Sequence, residues 1–173
     1  MPAPDAAEGR AGFDVRRLRP DEWRELRELR LRALADAPDA FGTTLEEDAR
    51  RADAEWQSWA SNRERVVIVA ERDGRLVGMA SGGRAPSIER AAGLYSMWVE
   101  PAARGTGAAD AIVAAVVDWA IENDYPAIGL GVTTGNTRAI AFYERLAFRD
   151  TGGRWPLRDG SELVIQIMVR QLA

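Results

Sequence analysis

Apolar positions recur along the chain with two periods, one typical of strands and one typical of helices. Residues 13–19 alternate loosely between apolar and polar side chains, which predicts a short first strand. Residues 21–38 carry apolar side chains at helical spacing, with acidic residues at the start as the helix dipole favours. Thr44 and Glu47 have the spacing of a capping box, so we predict a second helix over residues 44–61.

The middle of the chain predicts a hairpin followed by another strand and a long helix. Residues 65–72 contain a β-branched run, and an aspartate-glycine turn joins them to a second strand over 75–81. Residues 92–100 form the next predicted strand. The heavily apolar residues 106–123 then predict a helix that is mostly buried.

The last part of the chain returns from helix to strand. We predict a strand over 127–133, a helix over 137–147 and a strand over 148–155. In the final strand the odd-numbered residues from Leu163 to Val169 are apolar, so we expect them to share one face of the strand. The element order is therefore βααβββαβαββ, in which one strand-helix-strand segment implies a parallel pair.

This order predicts an α/β fold with a mixed β-sheet and helices on both faces. The chain has 173 residues and shows no internal repeat or linker, so we expect residues 13–173 to form a single domain. Residues 1–12 contain two prolines and two glycines without an apolar run. That composition predicts a disordered tail and not a signal peptide.

Composition removes several kinds of catalysis and several kinds of partner. The chain has no histidine, cysteine or lysine, so a thiolate nucleophile, an imidazole base, a Schiff base and a cysteine-rich zinc site are excluded. Its 27 acidic and 23 basic residues give a net charge of −4, which argues against a nucleic-acid partner. The longest strongly apolar stretch, 111–117, is too short to cross a membrane, so we expect a cytoplasmic protein.

The sharpest local signal lies between the strand over 92–100 and the helix that follows it. Gly105 and Gly107 allow main-chain amides to approach a ligand, and the start of the helix attracts phosphate oxygens. Asp110 stands where a dinucleotide-binding loop has its third glycine, and no Gly-Lys-Ser/Thr sequence indicates an ATP-binding loop. A glycine pair alone is more typical of a tight strand-to-helix connection, but the neighbouring Arg104 favours the phosphate interpretation.

Two motifs together resemble the Gcn5-related N-acetyltransferase (GNAT) family. Its Arg/Gln-x-x-Gly-x-Gly/Ala motif is matched by Arg104, Gly107 and Ala109. Its second motif, an Asn leading a helix with Ala and then Phe-Tyr-Glu, is matched by Asn136, Ala139, Phe142, Tyr143 and Glu144. Ala147 departs from the glycine that is usual there. The resemblance extends over nearly the whole chain from Phe13 and implies the acyl-CoA N-acyltransferase fold, with a partly splayed sheet.

The resemblance also implies acetyl-CoA as the cofactor, leaving as CoA, and it implies where this donor binds. The implied cofactor-binding residues are Met97, Trp98, Val99, Arg104, Gly105, Thr106, Gly107, Ala108, Ala109, Asn136, Arg138, Ala139 and Tyr143. Tyr143 matches the tyrosine that protonates the departing thiolate in many members. A phenol is protonated at neutral pH, so its chemistry agrees with that role. The alternative interpretation of Tyr143 is that its ring packs beside Phe142 while its hydroxyl stays in water. The alternative interpretation of Arg138 is a solvated position on the helix surface.

The acceptor side is predicted less directly. Some members of the family carry a catalytic glutamate near the position of Gly93, which has no carboxylate, so Glu46, Glu47 and Asp48 become the candidate bases. Glu47 has the capping role as its competing interpretation. The same three acids would suit a cationic acceptor, and we expect Glu46 to contact it. Phe41 and Trp155 lie in segments that flank the acceptor cleft in the family, so we expect them to line it as well.

These features predict an N-acetyltransferase that transfers the acetyl group directly to an amine of a small molecule. Two alternatives stay open, a non-catalytic acyl-CoA-binding module and an acetyltransferase acting on a protein or peptide N-terminus. Nothing in the sequence indicates a metal. Dimerisation is common in the family, so a homodimer is also expected.

Overall fold

The computed structural model describes residues 12–172, which form seven strands and five α-helices. The strands are Asp14–Arg17 (β1), Val66–Arg72 (β2), Arg75–Arg84 (β3), Ala91–Val99 (β4), Ala127–Thr133 (β5), Arg149–Pro156 (β6) and Val164–Gln171 (β7). The helices are Trp23–Asp36 (α1), Leu45–Ala49 (α2), Asp53–Ser61 (α3), Ala108–Glu122 (α4) and Thr137–Arg145 (α5). The tail predicted over residues 1–12 lies outside the described residues, apart from Gly12.

All seven strands belong to one sheet with the order β1-β2-β3-β4-β5-β7-β6. The β4–β5 pair is parallel, and every other pair of neighbours is antiparallel. The mixed sheet and its parallel pair, both predicted from the element order, are therefore confirmed.

Helices cover both faces of the sheet, because alternate residues of β2 pack in opposite directions. Ile68 packs in one core cluster with Ile112 of α4, whereas Val69 packs in another with Leu29 of α1 and Trp56 of α3. The first cluster also includes Phe148, next to α5. The cluster under α1 and α3 includes residues of β2, β3 and β4 but none of β5–β7.

That uneven cover decides which face of the final strand is buried. The buried residues of β7 are Gln166 and Met168, whereas Ile165, Ile167 and Val169 are only partly buried. Met168 belongs to the cluster beneath α4, and the opposite face of β7 lies beyond the reach of α1 and α3. The expected alternation exists, but the helices cover the other face.

The second predicted helix, residues 44–61, is corrected, since two helices stand in its place. Ala52 adopts an extended conformation (φ −68°, ψ 154°), and its amide donates to the Glu55 carboxylate at 2.9 Å, which caps α3. Just before the break, Asp48 is fully buried and accepts from Arg51 at 2.8 Å. The chain therefore turns at residues 50–52 to place this carboxylate in the interior.

The sheet opens between its two parallel strands, as the resemblance implied. Strands β4 and β5 pair only from Ala91 to Gly93 against Ala127 to Gly129. Beyond that point β4 contains an irregularity at Ser96, whose φ of +55° is unusual for a residue with a side chain. The strands separate towards their carboxyl ends, and that gap positions the candidate site.

Within residues 12–172, no helix combines the length and the apolar character needed to cross a membrane.

Candidate active site

The loop between β4 and α4 depends on two glycines with left-handed backbones. Gly105 has a φ of +74° and Gly107, the N-cap of α4, has a φ of +88°. Residues with a side chain rarely adopt such values. A Cβ atom at either position would meet nothing within 4 Å, so both glycines border open space. The first amides of α4 lack carbonyl partners within the helix, and the loop therefore provides a cradle for an anion.

A cavity of about 640 Å³, here called the loop cavity, lies against this cradle. It is lined by the end of β4, the glycine loop and α5, with Asp36 and Ala37 from the end of α1. All the predicted cofactor-binding residues line it except Thr106 and Ala108. Thr106 instead donates its hydroxyl to the Ala103 carbonyl at 2.6 Å, and Ala108 is buried. Both hold the loop in shape without facing the cavity.

Arg104 fastens the loop to the two neighbouring elements. Its Nε donates to the Val99 carbonyl at 2.9 Å, and its Nη2 forms an ion pair with Asp36 at 2.6 Å. Trp98 Nε1 donates to the same carboxylate at 2.9 Å. The hydrogen bonds from Trp98 and Arg104 outweigh burial and lower the pKa of Asp36. Sequence reasoning missed Asp36 because it lies 68 residues from Arg104 and belongs to no motif.

On the opposite wall, α5 carries the predicted acid. Asn136 caps the helix by accepting from the Ala139 amide at 3.1 Å. Tyr143 is 8% exposed, and its ring packs edge-on against Phe142 and Phe148 at centroid distances of 5.2 and 5.7 Å. Burial raises the pKa of Tyr143 far above that of a free phenol. The ring therefore packs beside Phe142, and the role of the hydroxyl as a general acid stays a prediction.

A second space, here called the central cavity, continues from the loop cavity into the gap between β4 and β5. It has a volume of about 370 Å³, and the two cavities share Ala40, Met97, Asn136, Ala139 and Tyr143. The central cavity is otherwise bounded by mostly apolar residues of β4, β5 and the segment after α1. None of its lining residues is an aspartate or a glutamate.

A third space, the arginine cavity, opens on the far side of the central cavity. It has a volume of about 840 Å³ and shares Arg30, Tyr95 and Ser96 with the central cavity. Its remaining wall comes from α3 and from the residues that flank β2 and β3. Three cavities thus form a row through the molecule, from the glycine loop to the arginine cavity.

Arg30 holds the irregularity of β4 at Ser96, a residue that lines both the central and the arginine cavity. Its guanidinium donates to Asp48 at 2.8 Å, to the Ser96 hydroxyl at 2.8 Å and to the Thr43 hydroxyl at 2.9 Å. Arg30 and Asp48 are both buried. Burial alone raises the pKa of Asp48, but Arg30 and Arg51 outweigh it and hold that pKa below its usual value. Asp48 is therefore a structural anion that fixes Arg30.

The remaining predicted acids do not line any of the three cavities. Glu46 pairs with Arg50 on the surface. Glu47 accepts from the Thr44 amide at 2.7 Å and from its hydroxyl at 3.1 Å, so its carboxylate belongs to the capping box. The bond from the Thr44 amide is the main cause that lowers the pKa of Glu47. The structure brings neither Glu46 nor Glu47 to the site.

The two predicted aromatic residues differ in position. Phe41 is buried, lines the central cavity and packs under the Arg30 guanidinium at 4.5 Å. Trp155 is 56% exposed on β6 and lines none of the three cavities. Near Gly93, where some family members carry a glutamate, a Cβ atom would collide with the ring of Tyr95. Tyr95 lines the central and arginine cavities, and sequence reasoning did not identify it.

Residues 21–148 match the model of the acetyltransferase (GNAT) family, which is well over half of the chain. The chain belongs to this family. Membership in the GNAT family confirms the acyl-CoA N-acyltransferase fold, an acyl-CoA-dependent acetyltransferase activity and acetyl-CoA as the cofactor. The residue types in the loop cavity fit such a donor, because helix-start amides and arginines suit its phosphates.

Two curated relatives support the same assignment. An uncharacterized N-acetyltransferase of Mycobacterium tuberculosis is 30% identical over 138 residues, covering 80% of this chain and 86% of that protein. The mycothiol acetyltransferase of Thermobispora bispora is 32% identical over 157 residues, covering 86% of this chain. The match covers only 49% of the Thermobispora enzyme, so this GNAT chain corresponds to about half of that relative.

A solved structure of low sequence identity shows the same fold. An acetyltransferase from Salmonella typhimurium, solved with its cofactor acetyl-CoA, has a TM-score of 0.77 and 21% identity. The superposition covers 94% of this chain and 95% of that one. The architecture of the GNAT sheet is therefore shared across almost the entire length.

Proposed function

We propose that this GNAT enzyme transfers the acetyl group from acetyl-CoA directly to the amine of a small molecule. The observation that carries the proposal is the row of three cavities, with Tyr143 in the wall that the loop and central cavities share. Donor and acceptor then reach Tyr143 from opposite sides. We also propose that residues 13–173 are one catalytic domain, since a single sheet contains every described strand.

The loop cavity is the proposed donor site. Main-chain amides from Arg104 to Ala109 would hold the pyrophosphate, assisted by the positive end of α4. The edge of β4 from Met97 to Val99 is unpaired with β5, so its backbone is free to pair with an extended arm. Acetyl-CoA supplies the activated thioester, and Arg138 at the cavity wall is suited to a further phosphate.

Tyr143 is the proposed general acid. Its buried hydroxyl keeps its proton at neutral pH, because burial disfavours the phenolate. The hydroxyl would donate that proton to the thiolate as the C–S bond breaks, and the proton that the amine nitrogen loses on forming the amide would then restore the phenol. The direct transfer agrees with a chain that has no cysteine, histidine or lysine to carry the acetyl group.

The acceptor has to react as a neutral amine. The central cavity is mostly apolar and has no carboxylate in its lining, so it disfavours an ammonium group. We propose that the amine loses its proton to solvent before it enters. The base role of Glu47 stays a prediction, and the contacts of its carboxylate favour the capping role.

A small-molecule acceptor is favoured over a protein N-terminus by the volume of the central cavity, about 370 Å³. This volume lies at the lower end of small-molecule sites. One relative is moreover named for mycothiol. A homodimer stays a prediction.

The test is calorimetric titration with acetyl-CoA, followed by a CoA-release screen against small amines and peptides with free N-termini. We expect micromolar binding of acetyl-CoA and turnover with small amines but not with peptides. Turnover with peptides alone would show that the acceptor is a peptide N-terminus and not a small molecule. Binding of acetyl-CoA without turnover of either set of amines would overturn the proposed reaction.

A further inference from the structure

The arginine cavity is lined by more cations than anions, although the chain as a whole is acidic. Four arginines and one glutamate line it, in a protein whose net charge is −4. Two of these arginines are neutralised, because Arg30 pairs with Asp48 at 2.8 Å and Arg51 pairs with Asp48 and Glu55 at 2.8 and 3.3 Å. The cavity wall therefore contains cations in excess of its anions.

Arg65 and Arg84 are the two arginines that supply this excess. Within residues 12–172, neither has a carboxylate oxygen within 4.0 Å of its guanidinium. Both side chains are exposed at the mouth of the cavity. Two unpaired guanidiniums that line one cavity supply the charge and the donors that a carboxylate needs, since arginine binds carboxylates through two parallel hydrogen bonds.

The fold fixes the position of both arginines. Arg84 ends β3 opposite Ala92, and its carbonyl accepts from the Tyr95 hydroxyl at 3.1 Å. The stem of Arg65 packs on Gly83, where a Cβ atom would lie 3.3 Å from its Cγ. The two side chains thus start from adjacent strands, and Tyr95 forms the wall between them and the central cavity.

The distance from these arginines to Tyr143 sets the length of an acceptor that would reach both. Met97 lies beside Tyr143 in the central cavity, and Arg84 lies at the level of Ala92. A strand rises about 3.3 Å per residue, so these two levels of β4 are separated by roughly 16 Å. Arginine side chains shorten this span by reaching into the cavity. An acceptor bound at both ends is therefore an extended molecule.

We propose that Arg65 and Arg84 bind the carboxylate of the acceptor, which is then an amino acid derivative whose amine and carboxylate lie several bonds apart. The inference rests on the proposed acetyl transfer and specifies its substrate class. It reverses the sequence expectation of a cation-binding site at Glu46–Asp48, because those acids bind other residues of this chain. The cationic mouth attracts the carboxylate and repels ammonium, so the amine end points inward.

The test compares 6-aminohexanoate with 6-aminohexanamide, which differ in the negative charge and share the amine and the chain length. We expect kcat/KM to be about tenfold higher for the acid, the size expected from two exposed ion pairs. The Arg65→Gln/Arg84→Gln double variant should bring the ratio of the two values close to one. Arg63→Gln is the matched control, because Arg63 is an exposed neighbour that lines no cavity, and it should keep the ratio.

Equal kcat/KM for the two probes in the wild-type enzyme would overturn the inference, and acetyl transfer to both would leave the proposed function intact. If neither probe is acetylated, calorimetric titration with glutarate, a dicarboxylate without an amine, decides the question. Binding of glutarate that the double variant loses supports the carboxylate site. Absent or unchanged binding overturns it, whatever the outcome for acetyl-CoA.

Discussion

The two ends of the cavity row are built from different parts of the polypeptide. The loop cavity depends on main-chain amides and positive φ angles within one short segment around Gly105 and Gly107. The arginine cavity depends on side chains from α3, β3 and β4, fixed by the buried pair of Arg30 and Asp48. A backbone site tolerates changes of side chain but not of conformation, whereas a side-chain site changes its ligand with each substitution.

The largest expected effect is at the loop cavity, where we consider Gly107→Val. Valine strongly disfavours a φ of +88°, and its side chain would enter the open space in front of the helix amides. We expect acetyl-CoA binding, measured by calorimetry, to weaken by about a hundredfold or more, since several charge-assisted hydrogen bonds are lost together.

Gly160→Val is the control for backbone strain alone. Gly160 has a φ of +74°, borders open space and lines none of the three cavities. Its variant should bind acetyl-CoA as the wild type does. Unchanged binding by a folded Gly107→Val protein would show that the donor does not use the start of α4.

Next to the arginine cavity, Asp48→Asn should lower the free energy of unfolding. Loss of the carboxylate leaves Arg30 buried without its charge partner, which typically costs about 3–5 kcal/mol of unfolding free energy. Denaturant titration measures the effect. Asp53→Asn is the control, since Asp53 forms an exposed pair with Arg27, and it should change the unfolding free energy little.

The cost of Asp48→Asn should also depend on pH. The pKa of Asp48 in the folded state is below that of an unfolded aspartate, about 3.9. The stabilisation is then fully present above about pH 4 and is lost as the pH falls through the lower, folded value. We expect the difference in unfolding free energy between the wild type and Asp48→Asn to stay constant from pH 7 downwards. This gap should narrow only below about pH 4. A gap that narrows near neutral pH would contradict this account of the pair.

The smallest effect is expected for Glu47→Gln, on the surface near the acceptor side. Its carboxylate caps α2 and lines no cavity, so kcat/KM and its pH profile should match the wild type while Tm falls slightly. Thr44→Ala removes the other half of the cap and should act in the same way. A tenfold loss of kcat with a missing acidic limb of the profile would make Glu47 the base after all.

The structural features around the loop cavity follow from local sequence, for a physical reason. Positive φ at Gly105 and Gly107, the cap at Asn136 and the ring of Tyr143 all follow from short segments, whose residues meet within one or two turns of chain. The element order also follows from local periodicity, apart from the break in the second predicted helix. Family motifs add the donor, because they mark these same segments.

The arginine cavity depends on side-chain pairs between residues that are far apart in the chain, and no local sequence pattern predicts such pairs. Asp48 selects Arg30, 18 residues earlier in the chain, and Arg30 in turn reaches Ser96, 66 residues later. The chain breaks the predicted second helix just after the buried Asp48, and this acid lines none of the three cavities. The buried face of β7 likewise depends on which half of the sheet α1 and α3 cover.

The most direct test of the proposed reaction is a comparison of Tyr143→Phe with the wild type, using kcat for acetyl transfer and Kd for acetyl-CoA. Phenylalanine keeps the ring contacts with Phe142 and Phe148 and removes only the proton donor. Tyr125→Phe is the matched control, since Tyr125 packs on Trp119 and lines no cavity. We predict a kcat about a hundredfold lower with Kd within about twofold, as expected for loss of a general acid. An unchanged kcat, or a Kd that weakens in parallel with kcat, would contradict the central role of Tyr143.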